Sequence, residues 1–181
     1  GRTTLNGEGL QHEDGHSLIL ANTIPNCKSF DPAYNFELAV IIQDGMRRMY
    51  KEGENCFYYV TTMNENYVHH AMPEGAEEGI IKGIYKLKAG TTKKKNRVQL
   101  MGGCAILREV EAAADILRDD FDVESDIWSL TSVNELARQG QHISRHNTLH
   151  PEDSPKKAYI TECLEDAEGP VIAATDYMKA Y

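Results

Sequence analysis

Apolar and aromatic positions fall along the chain in alternating runs of two periods, and their order predicts strands and helices in turn. Residues 29–36, Ser-Phe-Asp-Pro-Ala-Tyr-Asn-Phe, read as a strand end followed by a helix start. Asp31 is placed to cap, and Pro32 suits the first helical position because its φ is already fixed near the helical value. Phe36, Ala39, Val40, Met46 and Met49 continue at helical spacing and Gly53 offers a stop, so the pattern predicts a helix over 33–51. The aromatic and β-branched run Cys-Phe-Tyr-Tyr-Val-Thr-Thr at 56–62 predicts a largely buried strand. Periodicity is lost from Met63 to about Pro73, among turn formers and polar groups, and this marks a connection between domains. A short helix over 74–83 comes next, followed by a basic run over 86–97.

The second half carries a clearer signal. Residues 97–118 begin as a strand, turn on Gly102-Gly103, and become a helix with Ile106, Val110, Ala113, Ala114 and Leu117 on one face. Residues 126–130 supply the next strand, and strand, helix, strand at this spacing make a βαβ unit with parallel strands. Ser132 is placed to cap a helix over 133–138, and Pro-Val-Ile-Ala-Ala at 170–174 reads as a third parallel strand. The class expected is α/β, with mainly parallel strands and no internal repeat.

Composition narrows this picture. At 181 residues, with 41% hydrophobic and 26% charged residues, the chain can bury a real core as one domain or parts of two. A net charge of −9 argues against general affinity for nucleic acid or anionic membrane, which both require a basic surface. No apolar run approaches the roughly 20 residues that span a bilayer, so a cytoplasmic location is expected. Cys27, Cys56, Cys104 and Cys163 show neither a Cys-x-x-Cys pair nor zinc spacing, and read as free thiols in a reducing compartment.

Candidate chemistry concentrates at the front. Residues 1–17, Gly-Arg-Thr-Thr-Leu-Asn-Gly-Glu-Gly-Leu-Gln-His-Glu-Asp-Gly-His-Ser, crowd glycines, histidines, carboxylates and hydroxyls into a stretch with almost no aliphatic side chain. Glycines at 7, 9 and 15 permit positive φ and close backbone approach, and His12 and His16 can each exchange a proton near neutral pH. The residues alone fit either an active-site loop or a polar surface loop rich in turn formers.

The wording of this loop resembles the thiamine-diphosphate-dependent, decarboxylating component of bacterial pyruvate dehydrogenase complexes of the large homodimeric kind. The resemblance runs on through Asp-Pro-Ala-Tyr at 31–34, Asn-Glu-Asn-Tyr at 64–67, Ala-Met-Pro-Glu-Gly-Ala-Glu-Glu-Gly at 71–79, Lys-Gly-Ile-Tyr at 82–85 and Thr-Asp-Tyr-Met-Lys at 175–179. It covers essentially the whole chain but only an internal stretch of longer relatives, so the chain reads as a fragment. The resemblance implies three-layer, transketolase-like units. Residues 1–62 would end the pyrimidine-binding domain, 63–78 would connect, and 79–181 would begin the carboxy-terminal domain.

For the full-length parent the resemblance implies thiamine diphosphate and Mg2+, pyruvate as substrate, lipoyl domains of the acetyltransferase component as partner, and a homodimer. Thiamine chemistry on a 2-oxo acid needs a donor for the alkoxide that develops on the former carbonyl. By position in Gly-Leu-Gln-His that donor is His12, with His16 as runner-up, Glu13 and Asp14 as orienting partners, and Gly7 and Gly9 packing around the cofactor cleft. The Gly-Asp-Gly…Asn motif that holds metal and diphosphate in such enzymes does not occur: Asp14-Gly15 and Asp44-Gly45 lack the leading glycine. No metal ligand is therefore assigned within this chain, and the fragment alone is expected to be inactive and to bind no cofactor. Two other readings stand beside this one: another thiamine enzyme, such as a transketolase or a different 2-oxo acid dehydrogenase, or a non-catalytic structural fragment.

Three further motifs carry no function. The Gly102-Gly103 turn does not give Gly-x-Gly-x-x-Gly, and Cys104 stands where relatives in the resemblance usually carry the last glycine of Gly-Ser-Gly. His142, His146 and His150 recur at every fourth residue, but Pro151 pushes His150 out of the helix and no further ligand completes a set. The run Lys-Lys-Lys-Asn-Arg at 93–97 reads as a solvated loop.

Overall fold

A buried strand needs partners on both edges and apolar cover on both faces, and the central strand here shows both. A computed structural model describes residues 2–4, 7, 9–91 and 96–181. Six strands and six α-helices occur among them: α1 (Ser17–Asn22), β1 (Cys27–Phe30), α2 (Asn35–Met46), β2 (Phe57–Val60), α3 (Glu77–Lys82), β3 (Ile84–Lys88), β4 (Asn96–Gly102), α4 (Ile106–Phe121), β5 (Val123–Leu130), α5 (Val133–Leu149), α6 (Tyr159–Leu164) and β6 (Val171–Ala174). β1 and β2 pair in parallel as a small sheet, and the larger sheet has the order β3-β5-β4-β6. Within it β5, β4 and β6 are parallel, and β3 closes the edge antiparallel to β5.

Alternation along β4 and β5 sorts their side chains into layers. Val98, Leu100 and Ile127 pack against Leu107, Val110 and Ala114 of α4 on one face. Met101 and Trp128 pack with Leu136 of α5 and with Tyr159 and Leu164 at the two ends of α6 on the other face, giving three layers. Gln99, fully buried on β4, accepts from Trp128 Nε1 at 2.8 Å and donates to the Glu168 carbonyl at 2.9 Å, so its amide is paired at both ends. The inner face of α4 is centred on Leu107 rather than on Ile106, and Ala113, expected inside, is exposed.

The other departures have local causes. The basic run expected over 86–97 holds β3, which the alternation did not reveal because Lys86 and Lys88 stand exposed on an edge strand. Lys86 lies 4.8 Å from the Trp128 ring centroid and 3.2 Å from Asp126, so the lysine covers the strand beside it. Lys93, Lys94 and Lys95 lie outside the described residues. α5 runs to Leu149 rather than stopping at 138, with Ser132 Oγ capping it by accepting from Glu135 N at 3.1 Å. The helix expected over 33–51 is α2 followed by a π turn at Arg47–Lys51.

Asp31 does not cap α2. Tyr34 occupies the cap position, and Glu37 Oε2 in the first turn takes the free N–H groups of Ala33 at 2.5 Å and Tyr34 at 3.0 Å. Glu37 is fully buried, and its Oε1 accepts from Tyr85 on β3 and Ser129 on β5, each at 2.6 Å. One carboxylate thereby fastens the start of α2 to two strands of the larger sheet. Burial pushes its pKa above the ordinary range although hydrogen bonds from Ser129, Tyr85, Tyr34 and Ala33 favour the charged form.

Glu37→Ala is expected to destabilise the fold by about 3 kcal/mol or more, since four donors lose their acceptor in a dry core. Glu37→Gln should recover much of the loss, because its carbonyl oxygen can keep the Ala33 and Tyr34 amides while its NH2 faces the Tyr85 and Ser129 hydroxyls, which can turn to accept. Urea unfolding checks both; a Glu37→Ala protein as stable as the parent would remove Glu37 as the organiser of this junction.

Candidate active-site loop and the cleft beside it

The parallel strands β1, β2 and β4 end on the same side of the molecule, where ligand sites of α/β sheets form outside the carboxyl ends of strands. A cavity of about 310 Å³ opens there. Its floor is the stretch from Tyr59 to Met63 that finishes β2, together with Cys104 and Ala105 between β4 and α4. Its other wall is the opening loop, through Arg2, Thr3, Thr4, Asp14 and Ser17, and Asp176 closes the rim.

The loop is held at its base by one guanidinium. Arg2 Nη2 lies 2.7 Å from both oxygens of Asp31, its Nε donates to Asp176 Oδ1 at 3.0 Å, and its Nη1 stands 3.6 Å from Asp14 Oδ2. Burial pulls the Arg2 pKa down, but Asp31 and Asp176 outweigh this and leave it raised. Asp31 is almost completely buried and accepts as well from Thr61 Oγ1 and from Tyr177 OH, the latter at 2.8 Å. Asp14 begins α1 by accepting from Ser17 N at 3.0 Å, Ser17 Oγ at 2.5 Å and His16 N at 3.3 Å. Burial raises its carboxyl pKa, but the Ser17 and His16 donors and Arg2 bring it below the ordinary carboxylate range.

Between Arg2 and Asp14 the loop makes a tight turn at Leu10–His12, closed by His12 N donating to the Gly9 carbonyl and Glu13 N to the Leu10 carbonyl, each at 3.1 Å. Gly7 and Gly9 adopt φ of +72° and +84°, as their residue type allows, whereas Gly15 has no positive φ. Leu5, Asn6 and Glu8 lie outside the described residues. His12, Glu13 and His16 are exposed and do not line the cavity; of the orienting partners expected for His12, only Asp14 lines it. Among the described residues no group of three or more His, Cys, Asp or Glu side chains could hold a metal ion. His146 and His150 stack with ring centroids 4.5 Å apart at the end of α5, and no third ligand joins them among the described residues.

Arg2, Asp31, Asp176 and Tyr177 were not legible as site residues. Their signal was present only as like company: an arginine at the start of a polar loop, and Asp-Tyr near the other end of the chain, 174 residues away.

Cys104 sits against this cluster. Its φ is +49°, a left-handed conformation that suits glycine, and its buried thiol faces Asp31. Burial first, and Asp31 next, push the thiol pKa up to about 12, so it is no nucleophile at neutral pH.

Comparison with known proteins matches both halves of the chain. Residues 1–70 match the pyruvate dehydrogenase E1 component middle domain, and residues 83–181 match the transketolase-like TK C-terminal domain. Pyruvate dehydrogenase E1 components from Pseudomonas aeruginosa and Escherichia coli K12 are 60% and 59% identical to it, over 100% of this chain and 20% of theirs. The chain thus spans about a fifth of the length of the relatives it matches. Among solved structures, a transketolase from Leishmania mexicana superposes with a TM-score of 0.63 at 14% identity, covering 95% of this chain and 21% of its own. A transketolase variant from Pichia stipitis gives 0.61 at 16% identity, covering 94% and 21%. At that identity the likeness is one of fold.

The left-handed backbone at Cys104 predicts an inverted order of substitutions. A left-handed conformation costs an L-residue roughly 1–2 kcal/mol. Cys104→Gly is therefore expected to be more stable than Cys104→Ala by about 1 kcal/mol, the reverse of the usual penalty for glycine. Thermal or urea unfolding of the two variants measures the difference; alanine as the more stable of the pair would refute the strain.

Proposed function

This chain belongs to the pyruvate dehydrogenase E1 and transketolase-like family, and from that premise we propose that it is part of an acetyl-transferring pyruvate dehydrogenase. The full-length protein would decarboxylate pyruvate and transfer the acetyl group reductively to a lipoyl group of an acetyltransferase component. The observation that carries this reading is the likeness of the whole chain, loop included, to proteins named pyruvate dehydrogenase E1 component. Residues 1–62 then end a pyrimidine-binding domain, 63–78 connect, and 79–181 begin the carboxy-terminal domain. A homodimer in the cytoplasm is the assembly proposed for the parent. Among the described residues no helix is long and apolar enough to cross a membrane.

Thiamine diphosphate and Mg2+ supply the chemistry that makes loss of carbon dioxide from a 2-oxo acid feasible. The described residues do not fit the metal and diphosphate: Asp14, Asp31 and Asp176, the carboxylates beside the cleft, are all engaged by Arg2. That grip belongs, in this reading, to the rest of the parent. What the loop fits is a wall. It carries His12 on a tight turn away from its own cavity, where the imidazole can face the substrate across a cleft completed by the parent and hold or deliver a proton at the substrate oxygen. His16, at the start of α1, is the second candidate, and Gly7 and Gly9 shape the turn that the cofactor would approach.

His12→Ala in the full-length protein is expected to lower kcat by at least about a hundredfold while leaving the melting temperature nearly unchanged, as loss of a general acid–base group does. A collapsed melting temperature with full activity in the remaining folded enzyme would make the loop structural only. The 181-residue chain by itself is expected to show no thiamine diphosphate binding by calorimetry, with or without magnesium. Magnesium-dependent binding in the micromolar range would place the cofactor grip inside this chain.

A further inference from the structure

We infer that the carboxy-terminal stretch, through Asp176 and Tyr177, positions the opening loop and so reaches the reaction from a domain to which no chemistry is otherwise assigned. The inference rests on reading that loop as an active-site wall.

The contacts are specific and converge on the loop base. Asp176 takes Arg2 Nε at 3.0 Å through Oδ1, and through Oδ2 it accepts from Thr3 N at 3.3 Å and Thr3 Oγ1 at 2.8 Å. Tyr177 donates its hydroxyl to Asp31 at 2.8 Å, on the carboxylate that holds the other edge of the same guanidinium, and its ring lies 5.4 Å from Arg2 Cζ. Burial, with the charge of Asp31, raises the Tyr177 pKa, so it remains a donor at any physiological pH. Tyr181 closes the segment by donating to Asn134 Oδ1 at 2.7 Å at the start of α5, and it packs edge-on against Tyr177 with centroids 4.8 Å apart. The segment that follows β6 is thereby tied to the start of α5 while it grips the loop.

Arg2 is the part through which this grip acts. It touches Asp14, at the far end of the loop, and Asp31 and Asp176, so the two ends of residues 2–14 are brought together at a single side chain. The turn at Leu10–His12 has no buried residue of its own, and Arg2 fixes the loop at its two ends. A loop whose tip buries nothing sits at the low end of local stability unless its base is fixed. Displacing a catalytic group by an ångström costs as much rate as removing a good contact. Asp176 and Tyr177 are positioning residues by this argument; neither needs to touch the substrate.

The test uses the full-length protein carrying Asp176→Asn, Tyr177→Phe or both. Amide hydrogen exchange followed by mass spectrometry reports order in peptides over residues 3–16, with peptides from β4 and β5 as the control for folding. Exchange in the loop is expected to quicken at least tenfold in the double variant with the β4 and β5 peptides unchanged, and unchanged loop exchange would overturn the inference. Steady-state kinetics with pyruvate supplies the second arm: kcat is expected to fall about tenfold with KM altered less than twofold. Placed on His12→Ala, the same pair of substitutions should lower kcat no further. Additive losses would mean that the segment does not act through His12. Failure of the underlying reading shows separately, as wild-type full-length protein that does not decarboxylate pyruvate; loop exchange then still decides whether the grip exists.

Discussion

The structure depends on a guanidinium buried among carboxylates at the meeting point of separate stretches of chain. Arg2 comes from the opening loop, Asp31 from the end of β1, Thr61 from beyond β2, and Asp176 and Tyr177 from beyond β6. An ion pair taken out of water gains little over an apolar substitute of the same shape, but breaking one by removal of a single partner leaves an uncompensated charge and costs about 3–5 kcal/mol. Its value here lies in geometry. Oil-like packing would allow the loop to slide, whereas a planar fork with fixed acceptors allows one arrangement.

The same logic governs the seam between the two sheets. Asp31 N donates to the Thr131 carbonyl at 2.8 Å, where β1 and β5 both end, and Ser132 Oγ donates to the Ser29 carbonyl at 2.6 Å. Asn134 on α5 donates to the Leu18 carbonyl at 2.9 Å and to Ser29 Oγ. On the α2 side Glu37 accepts from four donors, two at the start of the helix and two on β3 and β5. Two apolar clusters also cross this seam, one joining Phe30 and Ile41 to Ile80 and Tyr85 and the other joining Tyr34 to Leu100 and Leu107, so the directional, buried bonds fix the alignment of surfaces that packing already brings together. Such networks tolerate no partial satisfaction, which makes the relative placement of the halves a single solution.

Legibility followed locality. β4, β5 and α4 were visible because each buries a continuous or periodic apolar set, and β2 and β6 because their β-branched and aromatic runs suit a strand, although β2 is only part-buried and β6 stands exposed at the sheet edge; the βαβ order then dictated parallel pairing. β3 was hidden by edge lysines that shield a strand from solvent while resembling a loop in composition. Asp31 was read as a cap because Asp-Pro before a helical run satisfies every local rule. Tertiary structure overrode it: an acceptor was needed for Arg2 from a distant loop, and Glu37 was in reach to take over the free amides of α2. The opening loop was legible as unusual, and its histidines as the groups able to move a proton. What holds it was not, because an arginine and the aspartate it meets 174 residues later share no periodicity that a one-dimensional reading can detect.

Cys104 joins these themes. The turn between β4 and α4 must bend through a left-handed residue to bring the start of α4 down beside the end of β2, and glycine would do this without strain. A cysteine there fills the space next to Asp31 with a small, uncharged side chain whose thiol resists ionisation. A larger or charged side chain would compete with Arg2, Thr61 and Tyr177 for the same carboxylate. The strain at one backbone position and the crowded acceptor beside it are therefore two consequences of one demand: that the strand ends, the loop base and the carboxy-terminal segment meet at a point.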